Sequence, residues 1–400
     1  MDRFGFVGEH SCLESKEEDS GGATSRRVLT STEKKAAKHA CRLENKRSLK
    51  WLAMCENWPV WSTKHHKVVK RRVRKGVPDA MRGKMWEVFS GADILRQRAA
   101  ERNETYAATV ERANAKFAHI KTLMDKANDI NRDGNAAAAA ARTTAVGGKS
   151  DDQQQQPAGG GRSQAKDPLA LLSIEQKRSR KWDIVIEADL GRTFPDHCMF
   201  HRAAMGQTVL RDVLRGYALL HPELGYTQGM NFIAAMFISY MPARDAYWML
   251  TAVMDSPKWD LQSMFCDRTP AVSRIWYQFD KLLAKYVPKV SAHFKKEGMD
   301  HSMYLTKWVI PLFTRDFHFD FVARIWDIFL QQGWKIILRV ALALLKQRET
   351  ALLSMDMEKI MYYLRDLPST VDAEATLNLA HRIKFKTQEL EDLRLEFENQ

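Results

Sequence analysis

Leu224-Gly225-Tyr226-Thr227-Gln228-Gly229-Met230-Asn231 leads straight into Phe232 to Met241, a run that is apolar throughout apart from Ser239. The run is far shorter than the ~20 residues a bilayer span requires. It also shows none of the strict alternation of a half-buried strand. It therefore reads as a buried helix, apolar on every side. Two glycines bracket Tyr-Thr-Gln immediately ahead of it. Gln228 is thereby placed at the mouth of the helix, where a side-chain amide can both donate and accept. Taken by itself, such a residue reads first as a cap for free backbone groups, ahead of any chemistry.

Outward from this helix, everything beyond Asp167 continues in amphipathic helical periodicity, interrupted at Pro195, Pro222, Pro242, Pro257, Pro270, Pro288, Pro311 and Pro368. No β-branched alternation flanked by turn signals occurs, and no fixed-period repeat is visible. The expected architecture is all-α: one large helical domain over 70–366, with a helical lead-in over 41–69. Residues 367–400 should close the chain as one helix, with Ile383, Leu390, Leu393 and Phe397 on its apolar side. Trp308 to Phe313 and Phe321 to Asp327 read as aromatic core anchors without chemistry. Upstream, Gly76-Val77-Pro78 signals a turn into a helix with Met81, Met85, Trp86 and Phe89 as its stripe, ended by Gly91. Residues 1–40 are polar and read as a disordered leader. Residues 134–164, with six consecutive alanines, four glutamines and a Gly triplet, read as a flexible low-complexity insertion.

Composition narrows the function classes. With 45% hydrophobic and 10% aromatic residues, the 400-residue chain can bury a sizeable core. Five scattered cysteines contain no C-x-x-C pair and suit a reducing compartment. No zinc-ligand spacing emerges from the twelve histidines. The first residues lack the apolar segment of a signal peptide, so a cytoplasmic protein is expected, with peripheral contact to endomembranes or the plasma membrane left open. The net charge is +13, and seven of those positives lie between Glu56 and Asp79, where no acidic residue intervenes. Such a block draws polyanions or acidic surfaces. The neighbouring tryptophans belong to a helical core rather than a stacking platform, so no nucleic-acid partner is expected.

A second string, Ile186-Glu187-Ala188-Asp189-Leu190-Gly191-Arg192-Thr193-Phe194-Pro195, places Asp189 and Arg192 three apart, close enough to pair. Gly191 weakens the helix, and Pro195 disfavours helix at Phe194, so Arg192 lies near a helix end. Alone, this is an ordinary solvated ion pair.

In order along the chain stand Gly76-Val77-Pro78 with Arg82 and Trp86, then I-x-x-D-x-x-R-T-F-P, then G-Y-x-Q-G-M-N, then R-I-W-D. Together they resemble a TBC domain, the helical GTPase-activating domain that acts on Rab GTPases. The resemblance covers roughly Lys70 to Leu345. Asp2-x-Phe4-Gly5-Phe6 and the Trp51/Trp58 approach are similar to a TBC subgroup with short flanks.

The resemblance implies an activator rather than an enzyme in its own right, regulating vesicle trafficking. It matches Arg192 to an arginine finger and Gln228 to a glutamine finger, both supplied in trans to a GTP-loaded Rab. Asp189 would then hold Arg192 or a neighbouring cation, and Tyr226 would pack and orient the Gln228 loop. No cofactor of the protein's own is implied, because GTP and Mg²⁺ arrive with the GTPase. A non-catalytic Rab-binding adaptor using the same helical surface is the alternative. Some TBC-like domains lack one finger, whereas this sequence carries both.

Overall fold

The computed structural model describes residues 31–144, 169, 172–201, 204–266 and 270–400. Among them are nineteen α-helices and no β-strand. In chain order these are α1 (Ser31–Glu56), α2 (Trp58–Thr63), α3 (His66–Arg74), α4 (Asp79–Ser90), α5 (Ala92–Glu101) and α6 (Tyr106–Thr144). The middle of the chain forms α7 (Ile174–Leu190), α8 (Met205–Leu220), α9 (Met230–Ile238), α10 (Ala243–Asp255), α11 (Pro270–Tyr286), α12 (Pro288–Lys296) and α13 (Leu305–Val309). The remainder is α14 (Phe319–Gln332), α15 (Trp334–Gln347), α16 (Glu349–Leu352), α17 (Met357–Asp366), α18 (Ala373–Arg382) and α19 (Thr387–Glu398).

The apolar run that opened the sequence reading forms α9 as far as Ile238, with every residue from Met230 to Ile238 buried. Its last three residues, Ser239 to Met241, turn out of the helix. Helices α7, α8 and α10 pack around it. A second buried layer is made by α14 and α15, where Ile336 to Leu345 are all buried, Arg339 included. The two layers join through aromatic edges: Phe237 of α9 meets Trp326 of α14 with ring centroids 5.0 Å apart, and Trp86 of α4 touches both.

A buried ion pair lies inside this core. Asp327, the last residue of R-I-W-D, is fully buried and accepts hydrogen bonds from Trp86 Nε1 at 2.8 Å, Val77 N–H at 2.9 Å and Arg82 Nε at 3.2 Å. Arg82 also donates to the Val77 carbonyl at 2.8 Å. Burial pushes the Asp327 carboxyl up, and Arg82 with the N–H donors pulls it back. The Gly76-Val77-Pro78 turn is thus clamped to α14, and the motif read as aromatic packing also carries the buried ion pair that fixes α4. Gly76 has φ +90, and a Cβ there would meet the Arg324 side chain at 2.8 Å.

Three boundaries differ from the sequence expectation. Residues 31–40, assigned to the leader, belong to α1, because Glu33-Lys34-Lys35-Ala36-Ala37 are helix formers. Residues 134–144, assigned to the insertion, continue α6, where six alanines outweigh the single Gly134. Residues 1–30, with the Asp2-Phe6 segment, and residues 145–164 lie outside the described residues. The closing helix is two helices, α18 and α19. The carbonyls of Lys384 and Phe385 between them are taken by Tyr286 Oη at 3.0 Å and Arg339 Nη2 at 2.7 Å, which holds that connection out of helix. The thiols of Cys55, Cys198 and Cys266 are free.

Candidate functional site

Helix α7 is launched by a capping box. The Ser173 hydroxyl accepts from Gln176 N–H at 3.2 Å, and the Gln176 amide accepts from Ser173 N–H at 2.9 Å. The helix ends at Leu190, so Gly191 and Arg192 project just past its C-terminus. Phe194 then turns to φ +46, a left-handed backbone unfavourable for an aromatic residue. Its buried ring packs against Phe200, Phe232 and Phe319, with centroids 5.8–6.0 Å apart, and this holds the turn.

The Tyr-Thr-Gln turn is built by its two glycines. At Gly225, φ +65, a Cβ would fall 1.9 Å from Trp182; at Gly229, φ +110, it would press on Ile310 and Phe265 at 3.2 Å. The close approach to Trp182 packs the turn directly against α7.

Buried polar groups stitch the two loops together. Thr193 Oγ1 donates to the Asp189 carbonyl at 2.6 Å and accepts from Asn231 Nδ2 at 2.7 Å. Asn231 Oδ1 in turn accepts from Gly229 N–H at 3.0 Å. Tyr226 donates its hydroxyl to one carboxylate oxygen of Asp189, and the other oxygen pairs with Arg192 Nη2. Burial, reinforced by Asp189, pushes the Tyr226 phenol far above its usual range, so it remains a proton donor.

The four residues singled out in the sequence are thereby placed. Asp189 and Tyr226 are buried beneath the loops, and Arg192 and Gln228 are exposed above them. A hollow of about 220 Å³ is lined by Arg192, Phe194, Pro195, Asp196, Phe232, Arg315 and Asp316. A second, of about 260 Å³, contains Gln228, Phe232, Lys307, Ile310 and Arg315. Phe232 and Arg315 belong to both, so Arg192 and Gln228 stand over adjoining hollows of one groove. Its charges are mixed: Arg192, Arg315 and Lys307 face Asp196 and Asp316. Arg315 pairs with Asp316 at 3.5 Å, which leaves the half-exposed Arg192 as the cation best placed to meet an anion beside the Gln228 amide.

Sequence reading assigned no role to Asn231, Thr193, Lys307 or Arg315. Asn231 and Thr193 lay inside quoted motifs, as single hydrogen-bonding residues among apolar neighbours. Lys307 and Arg315 flank the apolar Trp308 to Phe313 segment, and a lone cation at each end of such a segment is the signal that was there to be used.

The fold and groove define an all-helical domain with a polar cleft beside two loops. The Rab-GTPase-TBC domain profile matches residues 149–353, and the chain belongs to this family. TBC1 domain family member 10A of Mus musculus is 30% identical over 301 residues, spanning 75% of this chain and 46% of that protein. The ecotropic viral integration site 5 ortholog of Drosophila melanogaster is 32% identical over 217 residues, spanning 53% of this chain and 27% of that protein. The chain therefore spans about half or less of the length of these curated relatives. The Chlamydomonas flagellar RabGAP TBC domain shares the fold at a TM-score of 0.56 with 22% identity, covering 88% of this chain and 96% of that one. The Ypt/Rab-GAP domain of Gyp1p does so at 0.55 with 17% identity, covering 85% and 98%.

Proposed function

We propose that the protein accelerates GTP hydrolysis by a Rab-family GTPase, contributing Arg192 and Gln228 to the GTPase's active site. The observation that carries this reading is the pairing of two exposed side chains over adjoining hollows, on loops that a buried hydrogen-bond network fixes from below. Phosphoryl transfer depends mostly on positioning and on electrostatic stabilisation of charge spreading over the phosphate. The Arg192 guanidinium would supply that charge, and the Gln228 amide would orient the attacking water.

Asp189 makes the arginine's departure affordable in free-energy terms. When Arg192 turns from Asp189 to a phosphate, the carboxylate keeps the Tyr226 hydroxyl and is not left bare in the core. A trans arginine contributes about 10³–10⁵ in rate, equivalent to roughly 4–7 kcal/mol of barrier. Nucleotide and Mg²⁺ come with the GTPase in its GTP form, and the protein needs no cofactor of its own. Its setting in this reading is the cytoplasmic side of trafficking membranes, with peripheral attachment; among the described residues no helix is long and apolar enough to cross a bilayer.

The test is single-turnover hydrolysis by a panel of GTP-loaded Rab proteins, with wild type, Arg192→Ala and Gln228→Ala side by side. Stimulation of at least one Rab, lost in both variants, is expected. A Rab that binds the groove without any faster hydrolysis would identify an adaptor instead.

A further inference from the structure

A larger hollow adjoins the groove without containing Arg192 or Gln228. It measures about 640 Å³, with the short turn His301–Met303 and α13 on one side and α17 on the other. It shares Lys307 and Arg315 with the hollow that contains Gln228, and Arg315 and Asp316 with the one that Arg192 lines. The three therefore form one continuous surface, with Lys307 and Arg315 at the seam.

Its polar parts are largely satisfied and its apolar parts are not. Tyr304, Trp308 and Leu364 form a buried floor, while Met303 and Tyr362 are 36% and 52% exposed. Single exposed apolar side chains are ordinary on a protein surface. Two of them lining one hollow over an aromatic floor make a patch that a partner can cover. Among the charges, Arg315 pairs with Asp316 at 3.5 Å and Arg365 with Asp366 at 2.8 Å. Arg365 also lies 5.0 Å over the Tyr362 ring and steadies it. Lys307 is exposed and holds no ion pair among the described residues.

None of the lining residues buries a side-chain polar atom that lacks a hydrogen-bond partner. A site for a small polar ligand would aim such groups inward. What stands uncovered here is apolar surface beside an unpaired cation. That is the pattern of a protein contact with an aromatic or aliphatic anchor and a flanking charge.

We infer that this hollow is a specificity subsite for the GTPase, taking an aromatic or long aliphatic side chain whose neighbouring carboxylate meets Lys307. The inference rests on the reading of the groove as the place where a GTP-loaded Rab sits. A standard protein interface covers about 800 Å² on each side, so a GTPase seated there extends past the two loops and onto whatever adjoins them. What adjoins them is the seam at Lys307 and Arg315, and beyond it the apolar floor. A side chain from the GTPase fills the hollow beside Met303 and Tyr362, and its acidic neighbour finds Lys307. This contact lies next to the reacting atoms and not on them. It therefore sorts partners by affinity and leaves the chemical step to Arg192 and Gln228.

The test uses the full chain and a Rab panel, loaded with a non-hydrolysable GTP analogue for binding and with GTP for single-turnover hydrolysis. Tyr362→Ala removes an exposed ring and should keep the urea midpoint of the wild type. For the Rab that wild type prefers, it should raise the dissociation constant and the half-saturating concentration about tenfold, with the rate at saturation unchanged. For poorly bound Rabs the change should stay below about twofold, so the panel's range of affinities narrows. Met357→Ala, an exposed change on α17 outside the hollow, should alter neither quantity. Lys307→Gln should flatten the salt dependence of binding to the preferred Rab. Binding with this Tyr362 dependence but no faster hydrolysis would break the catalytic reading and keep the subsite. Faster hydrolysis with Tyr362→Ala matching wild type on every Rab would keep the catalytic reading and overturn the subsite, and binding of no Rab at all overturns both. Equal weakening of every Rab, equal weakening by Met357→Ala, or an unchanged salt dependence in Lys307→Gln also overturns the subsite. So does dimerisation of the chain, seen by sedimentation, that Tyr362→Ala abolishes, because the occupant would then be a second copy.

Discussion

Two arginine–aspartate pairs serve this domain in opposite ways. Arg82 and Asp327 come from positions 245 residues apart and meet in the core, with side chains 3% and 0% exposed. Arg192 and Asp189 are three apart on one helix end, and there the aspartate is 0% exposed but the arginine 49%. The first guanidinium is consumed by its surroundings, donating to Asp327, Asp79, Tyr240 and the Val77 carbonyl. The second is anchored on one edge and open on the other. Identical chemistry therefore gives a rivet in one place and a presented charge in the other, and what separates them is the number of donors already committed.

The sharpest way to break this comparison is to remove each arginine's contribution and see which property falls. Arg192→Ala should lose about 10³–10⁵ of the stimulation of a responsive Rab, in single-turnover hydrolysis. Its urea midpoint should move little, because a half-exposed ion pair contributes at most about 1 kcal/mol. Substantial unfolding of this variant would mean that Arg192 is a second rivet. Asp327→Ala reverses the pattern. Removing one member of a buried pair leaves Arg82 uncompensated and should cost about 3–5 kcal/mol, read by urea unfolding. The rate per folded molecule should then change far less than with Arg192→Ala.

Gln228→Ala probes the neutral partner of the presented arginine. Loss of one oriented polar group at a transition state costs about 10²–10³ in rate, so a smaller kinetic defect than that of Arg192→Ala is expected, with stability unaltered at this exposed turn. Equal defects in the two variants would show that the residues act as one unit.

How far these roles could be read in the sequence depended on how far apart the partners lay. The Asp189–Arg192 contact follows from an i, i+3 spacing, and the burial of α9 follows from a run with no polar face. Arg82–Asp327 could not be read in this way, since nothing local in R-I-W-D distinguishes a core aspartate from a helix-surface one. The same holds for Arg315, which joins the groove only because Leu312 and Phe313 adopt left-handed backbone, φ +48 and +65, and turn the chain back. Local propensity misled only at edges. Polyalanine extended α6 into a segment whose composition suggested a loop, and two captured carbonyls split a helix whose periodicity suggested continuity. The charge block was visible from its count alone, but its seat on α14 required the packing of the whole domain.

The smallest expected effect tests how the presented pair is supported from below. Tyr226→Phe keeps the ring between the loops and removes the hydroxyl that Asp189 accepts. A hydrogen bond to a charged acceptor contributes about 1.5–3 kcal/mol, so a loss of that order in urea unfolding is expected. In wild type, Asp189 divides itself between Tyr226 and Arg192. In the variant it has Arg192 alone, so the arginine should be held more tightly and released to phosphate less readily. GTP hydrolysis should slow by about tenfold, with affinity for the GTP-loaded Rab little changed, because the surface it meets is intact. If the hydroxyl matters only for stability, unfolding moves and the hydrolysis rate at saturating protein does not. A slower rate at saturation, with Asp189→Asn relieving it, would show that the buried tyrosine sets how freely the exposed arginine moves.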